Sequence, residues 1–250
     1  MGRGRLLPDG SPMRVHQVLQ RAASSSHRRS GALRFLEDTS KEIALLRRVA
    51  LLVFALAVLV PSAASASAPS VTIRDYRFVP STIRIPIDDA VDWTNMGHHV
   101  HTSTSDLVDS AGHYWDSGRI NFGDPAVDSY SSPAFQASGR FAYHCRIYPK
   151  MTGTVNVPVE VSPSSGGKST QFRVTFANPG IGVPPGFNED VQIKRPGSRL
   201  WRVWRKNQTN DVDIFTPDRG KGTYRFRARV QDDTTGHHSA YSPPVAITVS

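Results

Sequence analysis

Beyond residue 70 the chain falls into short runs in which apolar and polar residues alternate with period two, the spacing of strands that bury one face. Val71-Thr72-Ile73, Ile83-Arg84-Ile85, Val91-Asp92-Trp93, Phe141-Ala142-Tyr143 and Val155-Asn156-Val157 form a first group. A second group begins with Phe172-Arg173-Val174-Thr175-Phe176 and includes runs at Val191–Ile193, Trp201–Val203, Val212–Ile214, Tyr224–Val230 and Val245–Val249. Turn signals such as Asn178-Pro179-Gly180 and Asp218-Arg219-Gly220 punctuate the runs, and nothing after Pro61 carries a helical period. The pattern predicts an all-β chain of two sandwiches, at 67–161 and 170–250, joined by a Ser/Gly-rich flexible linker over 162–169.

One segment breaks the alternation. Arg47-Arg48 precede twelve consecutive apolar residues, Val49 to Val60, and a small-residue run follows Pro61. Charge, apolar core and small-residue region in that order read as a secretory signal over 49–66, with cleavage after Ala66. The apolar run is well short of the roughly 20 residues that span a bilayer, so a membrane association is expected only through an uncleaved leader. Residues 1–48 are polar and Ser/Arg-rich, which predicts a basic, disordered leader. The protein is accordingly expected outside the cytoplasm, secreted or at the cell surface.

Charge changes the picture less than its total suggests. The formal net charge is +9, but residues 1–48 hold ten Lys or Arg against four Asp or Glu, and from Ser67 onward the balance is twenty to seventeen. With no basic cluster interleaved with aromatics, nucleic acid is excluded as an expected partner. The surplus that remains lies in 162–250, thirteen basic against seven acidic side chains. There Arg225, Arg227 and Arg229 alternate with Tyr224, Phe226 and Ala228, which predicts a solvated arginine ladder on one sheet face and, as a partner for it, an acidic surface polymer. His237-His238 are expected to be exposed in a polar turn.

The chemistry concentrates around one residue. Cys145 is the single cysteine, so no intramolecular disulfide exists, and a lone thiol in an exported protein calls for burial or a metal. A blue-copper centre takes one thiolate, two imidazoles and a weak thioether, because soft sulfur suits Cu(I) and imidazole suits both oxidation states. Three of those ligands usually come from a Cys-x-x-His-x-x-Met loop. Cys145 and Met151 have that spacing, with Tyr148 at the middle position. No Ser-His-Asp arrangement, phosphate loop or catalytic carboxylate pair is found, which predicts a binding or electron-transfer protein rather than an enzyme.

Several stretches then carry a resemblance. Tyr76-Arg77-Phe78-Val79-Pro80, Val91-Asp92-Trp93-Thr94-Asn95 and His101-Thr102-Ser103-Thr104-Ser105-Asp106 come first. Trp115-Asp116-Ser117-Gly118, Gly139 through Cys145 and Pro149 through Val155 follow in order. Over residues 71–159 the chain resembles the plastocyanin and amicyanin-like cupredoxins. The resemblance implies a cupredoxin Greek-key β-sandwich, one type 1-like copper ion, one-electron transfer, and a redox partner protein or copper donor. It also implies which upstream histidine serves, since the family ligand follows the tryptophan by eight residues and opens a His-Thr-x-Thr-Ser-Asp run, as His101 does.

His99, two residues earlier and so on the same side of an extended strand, is the second choice and His98 the third. His144 adjoins Cys145 and is expected to face the other way, while nothing in the spacing of His113 brings it to the metal. The implied ligand set is His101, Cys145 and Met151, with Tyr148 in place of the usual second histidine. A phenolate is a hard ligand that favours Cu(II), so a lower potential or a weak site is expected. The alternative is a metal-free, degenerate cupredoxin acting as a surface-binding or structural module. The run Gly222–Val230 with Ser239-Ala240-Tyr241-Ser242-Pro243-Pro244 resembles the closing strands of fibronectin type III domains, which implies a C-terminal fibronectin type III or immunoglobulin-like sandwich.

Overall fold

Alternation becomes strand throughout the region described by the computed structural model, residues 68–250. The leader at 1–48, the apolar core and cleavage region at 49–66, and Ser67 lie outside the described residues. The first ten strands are β1 (Ser70–Arg74), β2 (Arg77–Val79), β3 (Thr82–Arg84), β4 (Asp92–Asn95), β5 (Thr104–Ser105), β6 (Val108–Asp109), β7 (Gly112–His113), β8 (Ser129–Ser131), β9 (Gly139–His144) and β10 (Thr152–Val157). Eight more follow: β11 (Glu160–Ser162), β12 (Ser165–Gly166), β13 (Phe172–Thr175), β14 (Phe187–Lys194), β15 (Arg202–Gln208), β16 (Val212–Phe215), β17 (Gly222–Asp232) and β18 (Val245–Val249). The fold is all-β. Among the described residues no helix is long and apolar enough to cross a membrane.

The first sandwich pairs a sheet of order β2-β1-β4-β8 with one of order β3-β10-β9-β5. Both are mixed, because β1 runs parallel to β4 and β3 parallel to β10. Period-two alternation delivers the core between them: Val71, Ile73, Trp93, Phe141, Tyr143, Val155 and Val157 are all buried. Trp93 and Trp115 stack with centroids 6.0 Å apart, and Tyr143 meets Trp93 edge-on at 5.5 Å.

Tyr143 reaches this cluster opposite Gly153 in the β9–β10 register, where an added Cβ would overlap its ring. Gly153→Ala is therefore expected to destabilise the protein by about 1–3 kcal/mol, the range for overpacking a filled core, as read from urea melts. An unchanged midpoint would mean that the ring has room to move.

In the second sandwich a sheet of order β11-β13-β16 faces one of order β12-β18-β17-β14-β15. Tyr224 at the start of β17 is wholly buried, and its hydroxyl donates to Gly220 O at 2.9 Å and accepts from Arg219 N at 2.8 Å. That link pins the turn before β17 in the manner of the tyrosine corner of immunoglobulin-type sandwiches. The expected arginine ladder is only partly solvated. Arg227 is bonded to Gln192 and lies over the rings of Trp201 and Tyr241, and Arg229 pairs with Asp190 at 3.1 Å, leaving Arg225 exposed. His237 and His238 are exposed.

The flexible linker expected over 162–169 is not what forms. β11 pairs with β13, and Ser165 and Gly166 pair with Thr248 and Val249 of β18. The Ser/Gly composition has a packing use here, because a Cβ on Gly166 would collide with Thr170, whose hydroxyl accepts from Gly167 N at 2.9 Å. The described residues belong to one compact unit, and main-chain bridges join its sandwiches at Ala137 with Ala177 and at Arg140 with Ala240.

Close to this seam is an unexpected group. Glu189 points to the core face of β14, on the same side as Phe187 and Val191, is wholly buried, and has no hydrogen-bond partner for either carboxylate oxygen. Burial, with Asp190 adding, raises its pKa well above the usual carboxylate value.

Candidate metal centre

Two chain segments far apart in sequence meet at the open end of the first sandwich. β9 alternates Phe141 and Tyr143 inward, and Cys145 continues that face one residue beyond the strand, fully buried. The loop that follows is closed by its own backbone: Cys145 N donates to Met151 O at 3.0 Å and Met151 N to Tyr148 O at 2.8 Å. Those bonds fold Met151 back beside Cys145 and leave Tyr148 half-buried at the rim, with Ile147, Pro149 and Lys150 exposed.

From the other side, His101 is held by two main-chain bonds with Ile120, at 3.1 and 2.8 Å, and is also fully buried. Its Nδ1 stands 3.7 Å from Cys145 Sγ. Thr102 closes the arrangement, its N–H directed at Sγ at 3.3 Å and its Oγ1 accepting from Arg146 N at 2.9 Å. An amide N–H aimed at sulfur favours negative charge there.

The 3.7 Å gap is shorter than a metal–sulfur and a metal–nitrogen bond laid end to end, about 4.3 Å by the lengths typical of zinc sites, so one ion can touch both atoms. Burial lowers the pKa of His101 despite the opposing pull of nearby Asp75, and so favours the neutral imidazole, the form that ligates. The donor set of soft thiol, imidazole and thioether suits copper. Against this, no group of three or more His, Cys, Asp or Glu side chains able to hold a metal occurs among the described residues. Met151 and Tyr148, which belong to the loop that carries Cys145, are outside that class of side chains.

The aromatic ring of Tyr148 lies against His101 with centroids 5.2 Å apart and edge-on to Tyr76 at 4.9 Å. His99 is turned away from the sulfur. Its Nδ1 is 3.0 Å from Asp75 Oδ1 and its Nε2 is 3.3 Å from the Tyr76 hydroxyl. His98 packs edge-on to Phe122. His144 faces away from the pocket and pairs with Asp106 at 2.5 Å, and His113 donates from Nδ1 to Ser105 O at 2.7 Å.

Three contributors were not legible from spacing: Thr102, Tyr76 and Asp75. Thr102 follows His101 directly and was visible only as part of the run it sits in. Asp75 and Tyr76 occupy the turn between β1 and β2, and no sequence interval ties that turn to His101.

No family model matches the sequence, and no curated protein matches it. Solved structures do. A purple cupredoxin from Nitrosopumilus maritimus is 24% identical, with a TM-score of 0.30 over 36% of this chain and 98% of its own. A reduced mutant amicyanin is 23% identical, with a TM-score of 0.31 over 38% of this chain and 87% of its own. A mutant fern plastocyanin is 18% identical, with a TM-score of 0.29 over 35% and 98%.

Proposed function

We propose that the chain is an exported copper-binding protein of cupredoxin type, acting as a one-electron carrier or in copper handling, with a site altered by Tyr148. The observation that carries this reading is the placement of His101 Nδ1 3.7 Å from Cys145 Sγ inside a fully buried pocket, from segments 44 residues apart. Copper bound there would supply a one-electron couple. In this reading Cys145 and His101 would hold the ion, Met151 would offer a thioether, and Thr102 N–H would steady charge on the sulfur. The exposed rim of Ile147 and Pro149 is where a redox partner protein or copper donor would approach.

The second sandwich is read as fibronectin type III-like, from its sheet order and the Tyr224 corner. In that reading it presents a surface or spaces the first sandwich from an attachment point. An acidic polymer would find Arg225 free on its arginine face.

The competing reading is a metal-free module that kept the fold, favoured by the absence, among the described residues, of any group of three or more His, Cys, Asp or Glu side chains able to hold a metal ion. Titration of the purified protein with Cu(II) and Cu(I) separates the two. The expected result is one ion per chain and a visible thiolate charge-transfer band, both lost in Cys145→Ser. No copper retained after dialysis in either oxidation state overturns the proposal and leaves the metal-free module standing.

A further inference from the structure

We propose that Asp75 is a positioning residue for His101, holding the imidazole proton on Nε2 so that Nδ1 turns its lone pair toward Cys145 Sγ. The inference deepens the copper reading and rests on it for its consequence, though not for its geometry.

A neutral imidazole carries one N–H and one lone pair, and whatever each nitrogen faces decides which is which. On His101 the two faces differ sharply. Nδ1 stands beside the sulfur, whereas Nε2 is buried without a hydrogen-bond partner and faces Asp75 Oδ1 at 3.9 Å, in ion-pair range and just beyond a hydrogen bond. With the proton on Nε2, an N–H points at a carboxylate. With the proton on Nδ1, a lone pair faces it, which is repulsive. A carboxylate behind a ligand histidine is a recurrent way of fixing ring orientation and basicity at metal sites.

Asp75 is itself built into place. Its Oδ1 accepts from His98 N at 2.7 Å and from His99 Nδ1 at 3.0 Å, contacts that fix the carboxylate in its turn. Gly97 makes the approach possible, because a Cβ there would lie 2.5 Å from Asp75 Oδ1 and 2.9 Å from its amide nitrogen. Asn95 ties down the far side, donating from Nδ2 to His99 O at 2.8 Å and Ile120 O at 3.0 Å while Oδ1 accepts from Gly97 N at 3.0 Å. The second residue of the turn, Tyr76, has φ 66° and covers the outer side of the cluster with its ring.

The test is long-range proton–nitrogen NMR of the metal-free full chain with nitrogen-labelled histidine, at about pH 8 where histidine is neutral. In the natural protein His101 is expected as the Nε2–H tautomer alone. In Asp75→Ala the Nδ1–H form should appear as a substantial fraction, and Cu(I) affinity should fall about 10- to 100-fold. Asp75→Asn keeps an acceptor for His98 N–H without the charge, so it guards against a misfolded alanine variant and should fall between the two. An unchanged tautomer in both folded variants overturns the proposal even if copper binds. A tautomer that follows Asp75 in a protein that binds no copper leaves the orienting role intact and removes the copper reading instead.

Discussion

Glu189→Met is expected to stabilise the protein by about 1–4 kcal/mol at alkaline pH and by far less in acid, the range seen when buried ionic groups give way to apolar residues of similar volume. The carboxyl is wholly buried beside Val230 and Phe187, with both oxygens unpartnered. The charged or titratable groups around it give no relief: Asp190 repels it and is itself paired with Arg229, and Tyr114, which packs on Phe187, offers only a phenol. The folded state therefore keeps a proton on Glu189 that the unfolded chain releases near pH 4.3, the ordinary glutamate value. Its contribution to stability is complete below that value and is lost as pH rises toward the higher folded-state pKa. Urea melts of both proteins across that window decide the matter. Parallel curves would mean that Glu189 has found a partner and the seam is not dry.

Tyr148→His is expected to raise copper affinity by at least about 100-fold and to bring in or intensify the visible thiolate band, since outer-shell partners alone are worth 10- to 100-fold. The loop is already closed by the Cys145–Met151 and Met151–Tyr148 backbone bonds, so the substitution changes a side chain without changing the frame. An imidazole at this position suits both copper oxidation states where a phenol suits mainly Cu(II). The ring given up also packs on Tyr76 at 4.9 Å, an aromatic pair worth about 1 kcal/mol, so a slightly lower melting temperature should accompany the gain. Chelator competition and absorption spectra read both effects. A variant that stays colourless with unchanged affinity would show that His101 and Cys145 do not form a metal pocket.

Much of the fold was legible because burial writes itself into sequence with period two. The eleven runs picked out by alternation all coincide with or overlap strands, and the long β17 run also showed which of its side chains face the core. Two-residue strands such as β5 and β6 escaped, because segments so short have no period to read. The linker expectation failed for a related reason: Ser and Gly mark flexibility by composition, yet Gly166 is small because Thr170 lies against it.

At the site, Cys145, Tyr148 and Met151 could be found from spacing, since a single loop fixes their separation. His101 needed the longer run around it. Asp75 and Glu189 were invisible to any spacing rule, one because it acts across sheets from a turn, the other because an isolated glutamate on an alternating strand gives no sign of which face it occupies.

The strand pairing of Ser165 and Gly166 with β18 bears on reach. A flexible joint would let the cysteine loop sweep a volume around whatever anchors the second sandwich, with an effective concentration set by chain length. β11 and β12, together with the Arg140–Ala240 bridge, make the joint a bracket instead. The loop around Tyr148 is then presented at one angle and one distance. A partner at that position meets it with little orientational entropy left to lose, and a partner elsewhere does not meet it at all.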